Sequence, residues 1–127
     1  MKTRVLKFAA LAIAAGVSTV ALAGAKTTQQ VLIRPDADGS GFAVGDLGYV
    51  RNTPDIIQWI GCSIGHAGAT CTAKDITGLT KSCFTSDPAK MAVARAVNGD
   101  SFILFYWDPD GSCRFITLWS NSMTAPK

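Results

Sequence analysis

Glutamate does not occur in this chain, and histidine occurs once, as His66. General acid–base chemistry by carboxylates would therefore need paired aspartates, and no such pair stands out in a strand-like segment. A catalytic histidine needs a nucleophile and an orienting acid. His66 sits between glycines in Gly65-His66-Ala67-Gly68, a turn signal, and the nearby Gly61-Cys62-Ser63-Ile64 has none of the features of a nucleophile elbow. Cysteine is sparse as well. Cys62, Cys71, Cys83 and Cys113 are separated by eight, eleven and 29 residues. These spacings contain neither a zinc knuckle nor a redox C-x-x-C pair, so no metal or other cofactor is expected. Asp36, Asp38, Ser40 and Gly41 match the front half of a calcium loop, but Leu47 stands where the bidentate glutamate belongs.

Basic charge in excess is also missing once the N-terminus is understood. Lys2, Arg4 and Lys7 precede an almost unbroken apolar run, Phe8 to Val20, and Ala21-Leu22-Ala23 offers a small-x-small cleavage site. Residues 1–23 read as a cleaved secretory signal peptide, too short in its apolar part to remain as a membrane span. A second cut after Ala25 fits the same rule. The formal charge of +3 then disappears: nine basic and nine acidic residues remain in 24–127. Scattered Lys and Arg in a neutral domain argue against nucleic acid and against an anionic membrane as partners.

What is present is a single domain of 104 residues, Gly24 to Lys127, expected to be secreted or periplasmic and monomeric. In an oxidising compartment its four cysteines can pair. Gln30–Arg34 predicts a first strand, followed by a Pro35–Gly41 turn and an apolar stretch, 42–50, interrupted by Gly45 and Gly48. Ile56–Ile64 is apolar at both alternations and predicts a central strand. With turns at Gly65–Gly68 and Asp75–Gly78 it begins a three-stranded antiparallel meander.

The period then changes. Asp87-Pro88 marks a helix start. Ala89, Ala92, Val93, Ala96 and Val97 lie on one face of a helix over about 87–98, with Gly99 as its left-handed cap. Phe102–Trp107, Asp108–Gly111 and Cys113–Trp119 predict a C-terminal hairpin. The fold class is α+β: a small, mainly antiparallel, disulfide-stapled domain with one short helix between meander and hairpin. The turn centres put Cys62 opposite Cys71 and Cys71 beside Cys83. Of three possible connectivities, Cys62–Cys71 with Cys83–Cys113 is preferred, because the second bridge ties hairpin to meander.

Trp59, Trp107 and Trp119 are the candidate binding residues, as an aromatic platform for a protein or glycan ligand. Trp119, near the end of its hairpin, is the foremost. Tyr49–Thr53, Trp59–Cys62, Cys71–Asp75 and the tail Pro126-Lys127 resemble stretches of small secreted bacterial proteins, a resemblance that implies no activity. The expected role is a non-enzymatic binding module. The alternatives are a secreted protease inhibitor presenting the Gly65–Thr70 turn, or a small hydrolase built on His66.

Overall fold

The computed structural model describes residues 28–123; the expected signal peptide, both candidate cleavage positions and Pro126-Lys127 lie outside it. Two antiparallel sheets form the frame. β1 (Leu32–Pro35), β2 (Gly41–Asp46), β6 (Phe102–Trp107) and β7 (Cys113–Trp119) make a four-stranded sheet in the order β1-β2-β6-β7. β3 (Trp59–Ile64), β4 (Ala69–Lys74) and β5 (Thr80–Thr85) make the predicted three-stranded meander. α1 (Leu47–Arg51) follows β2, and α2 (Pro88–Arg95) joins the meander to the terminal hairpin.

Alternation decides what each sheet buries. On the four-stranded sheet Ile33, Ala43, Ile103, Phe105, Trp107, Cys113 and Ile116 turn inward. They meet Ile60, Ala69, Cys71, Ala73 and Cys83 from the meander and Ala94 from α2. Close approach leaves no room for side chains at two turns. A Cβ on Gly41 would lie 2.3 Å from the Arg34 carbonyl oxygen and 2.5 Å from the Trp107 ring. One on Gly68 would lie 2.3 Å from the Thr85 carbonyl oxygen. Both residues therefore have to be glycine.

Both disulfides have the preferred pairing. Cys62–Cys71 spans directly opposed residues of β3 and β4. Cys83–Cys113 ties β5 to β7 and so staples one sheet to the other. Beside it the Phe84 amide donates to the Gly111 carbonyl at 3.0 Å. By loop entropy the longer bridge is worth roughly 3–4 kcal/mol.

The structure corrects several expectations. Ile56–Ile64 is not one central strand: β3 starts at Trp59 and lies at the edge of its sheet. The cause is Asp55, whose carboxylate accepts from the Ile57 and Gln58 amides and from the Gln58 side chain. That turn leaves Ile56 fully exposed. The apolar stretch 42–50, for which the sequence set no strand bounds, is strand only as far as Asp46, which caps α1 by accepting from the Tyr49 amide.

The helix is shorter than 87–98, and its packed stripe is rotated. Ala94 is buried, with Met91, Val93 and Val97 against the core, while Ala89, Ala92 and Ala96 are exposed. α2 touches the meander on one side and β7 on the other, so Ala94 sits at the closest approach, Met91, Val93 and Val97 fill the space around it, and Ala89, Ala92 and Ala96 face out. Gly99 is not left-handed; the chain turns instead on Asn98 and Ser101, where the Asn98 amide donates to Ser101 Oγ. Finally, the first strand begins at Leu32 rather than Gln30.

Candidate binding surfaces

The three tryptophans do not form one platform. Trp107 is 3% exposed. Its ring lies 6.3 Å from Phe105, and its indole N–H donates to the Gly39 carbonyl at 3.0 Å. Lys81 Nζ stands 5.9 Å from its centroid. Trp107 is therefore a core residue, because it falls on the inward alternation of β6. Trp59 and Trp119 are 47% and 42% exposed, but they stand on different sheets.

Trp119 belongs to a larger surface that sequence reasoning missed. The register of the four-stranded sheet aligns its outward side chains in rows. Arg34, Phe42, Tyr106 and Phe115 form one; Leu32, Val44, Leu104 and Thr117 form the next; Phe102 and Trp119 close the face. All of these side chains are partly or well exposed. The strand spacing and rise give this face an area of roughly 400 Å². Beside edge strand β7, an apolar groove of about 540 Å³ lined by Ala92, Val93, Ala96, Ile116, Thr117 and Leu118 continues it.

The rings on this face are occupied with one another. Tyr106 and Phe115 stack with centroids 4.3 Å apart at 29°, and Phe42 and Tyr106 at 5.2 Å and 30°. Cross-strand neighbours at that separation stand upright and spend their faces on each other, leaving ring edges to solvent. Phe102 and Trp119 meet edge to face at 5.1 Å. The missed signal was in Phe102–Trp107 itself: apolar residues at both alternations mean either burial on both faces or one apolar face left open.

The outer face of the meander differs in kind. Its rows are Trp59, Lys74 and Thr80; Gly61, Thr72 and Ser82; Ser63, Thr70 and Phe84. Thr72 Oγ1 and Ser82 Oγ share a hydrogen bond of 2.8 Å.

The acids serve turns. Asp38 holds Ser40 through its amide and hydroxyl, and Asp36 accepts weakly from the same hydroxyl. The calcium-like loop is thus closed by its own serine, and no cluster with metal-ligand geometry occurs among the described residues. Hydrogen bonds hold several carboxyls below the usual carboxylate range: the Gln58 side-chain amide on Asp55, and hydroxyls of Ser40 on Asp38, Thr77 on Asp75 and Ser112 on Asp110. Asp87 caps α2 from the Ala89 and Lys90 amides. Asp108 pairs with Arg114 at 2.6 Å.

His66 is exposed at the tip of the β3–β4 turn, which closes with the Gly65 amide on the Gly68 carbonyl at 2.8 Å. No hydrogen bond joins His66 to a serine or an aspartate among the described residues. That turn, the candidate inhibitory loop, is seated against β5 at Gly68. No helix among the described residues is long and apolar enough to cross a membrane. No family model, no curated protein and no solved structure matches this chain.

Proposed function

We propose that this chain is an exported, non-enzymatic binding module, working in the periplasm or outside the cell, that docks a protein partner on the outer face of its four-stranded sheet. One observation carries this reading: an apolar and aromatic sheet face of roughly 400 Å² is covered by no described element. Patches of that size on small soluble proteins are often functional. The signal-like sequence pattern of residues 1–23 and the two disulfide bonds accord with an oxidising compartment.

A protein suits this face better than a glycan. The rings present edges rather than open faces, so a sugar ring has little to stack on, whereas a packed side-chain surface fits ridges and the furrows between them. Rigid aromatic side chains give large contact area at small entropic cost.

The test is affinity capture from culture supernatant and cell envelope with the mature domain, repeated with Phe115→Ser and Trp119→Ser. A protein captured by the native domain and lost with either variant, at unchanged circular dichroism, supports the reading. Capture indifferent to both would sink it. Hydrolysis of an ester, peptide or glycoside that disappears in His66→Ala would replace it with an enzyme.

A further inference from the structure

The meander carries a second surface whose chemistry is not that of the aromatic face. Trp59 opens β3 and is the only outward aromatic residue at that end of its sheet; no other ring contacts it among the described residues. Next to it on the same side is Gly61, where an added Cβ would meet nothing within 4 Å. A tryptophan followed two residues later by glycine leaves a gap beside the indole. That gap is a groove of about 280 Å³ lined by Trp59, Gly61, Cys62, Ser63, Thr70 and Thr72.

Three properties of the lining select a ligand. No lining residue is charged, so neither an anion nor a cation finds a counter-ion there; Lys74 stands in the Trp59 row but outside the groove. One wall is an indole that is 47% exposed and not stacked on a neighbour. The opposite side carries hydroxyls: those of Ser63 and Thr70 make no hydrogen bond to the described residues, and Thr72 is tied to Ser82. The ligand must therefore be uncharged, have an apolar flat side for the indole and carry donors and acceptors around its rim. A pyranose ring has all three.

We propose that this groove is a subsite for one ring of a neutral saccharide. The C–H face of the sugar lies on Trp59, and its hydroxyl groups exchange hydrogen bonds with Ser63 and Thr70. Gly61 is a specificity residue, because the absence of its side chain makes the space. The site is separate from the protein-docking face and stands or falls without it.

An open groove of this size holds a single ring, which sets a dissociation constant on the order of millimolar. The experiment is a titration of the ¹⁵N-labelled mature domain with cello-, malto-, xylo- and chitohexaose, and with an oligogalacturonate as the charged counterpart. At least one neutral hexaose is expected to shift the Trp59 indole N–H and the Gly61 amide. Trp59→Ala should weaken binding at least tenfold. Gly61→Val fills the groove at an open, extended position that suits a β-branched residue, so it should also abolish binding while the melting temperature holds. Trp119→Ser should leave the affinity unchanged. No shift with any neutral saccharide up to its solubility limit, binding that survives Gly61→Val, or binding of the galacturonate alone would each overturn the assignment.

Discussion

The outer faces of the two sheets are built on the same alternation and reach opposite chemistry. On the four-stranded sheet the outward positions hold Phe42, Phe102, Leu104, Tyr106, Phe115 and Trp119; on the meander they hold mostly hydroxyls and glycine. The first set packs laterally into stacked pairs, so much of its aromatic surface is already used. The second leaves Trp59 by itself with empty space beside it. Aromatic number is thus a poor guide to stacking capacity: what counts is whether a ring face is still open. A crowded face offers shape to a protein, and an isolated indole offers a plane to a small ring.

The sharpest way to break this comparison is to exchange inside for outside on one strand. Phe105→Ala empties a fully buried site and should cost about 3–5 kcal/mol. Tyr106→Ala, one residue along, removes only cross-strand stacking and should cost about 1 kcal/mol. Denaturant titration of both variants checks the ratio; equal losses would mean that the outer face is itself a buried core.

A second test separates the sheets from each other. Replacing Cys83 and Cys113 together by alanine removes the bridge between them and should cost roughly 3–4 kcal/mol, or a fall in melting temperature on the order of 15 °C. The pair Cys62 and Cys71 closes a shorter loop within one hairpin, so its removal should cost less, roughly 2–3 kcal/mol. The reverse order would show that the sheets hold together through packing alone.

A smaller effect distinguishes turns from sheets. Asp38, Asp55, Asp75 and Asp110 have carboxyls held below their unfolded values by hydrogen bonds in turns. Such groups contribute stability above the unfolded pKa of about 3.9, and it is lost as the pH falls through the lower folded values. Melting temperature should therefore be level above about pH 5 and decline below about pH 4. Asp55→Asn should flatten that decline more than Asp110→Asn, because the Asp55 shift is the larger. A melting temperature constant down to pH 2 would refute the assignment. The smallest effect is Asp87→Ala, which uncaps α2 and should cost about 1 kcal/mol.

The local signals were legible. Turn chemistry at Gly65–Gly68 and Asp75–Gly78 set the meander's register, and with it the facing of Cys62, Cys71 and Cys83. Asp87-Pro88 located the helix start. Hairpin loops determine register through neighbouring residues alone, which is why this much follows from sequence. The errors arose where one segment competes for two fates. Ile56 and Ile57 have strand character, yet the Asp55 carboxylate captures the following amides first. The spacing of alanines and valines defines a stripe without Met91, yet Met91 packs against the core and turns the buried face toward Ala94.

By itself, then, the sequence determined the meander, the C-terminal hairpin, the helix start and the preferred disulfide pairing, because each rests on groups close along the chain or on a register that turns impose. Tertiary structure decided the rest. The pairing of β2 with β6 joins segments some 60 residues apart and has no local signature. That pairing brings Phe42 onto Tyr106, turns Trp107 into core and leaves one side of Phe102–Trp107 open. Whether an apolar alternation is buried or presented depends on what packs against it, and that is a property of the assembled sheets rather than of any strand.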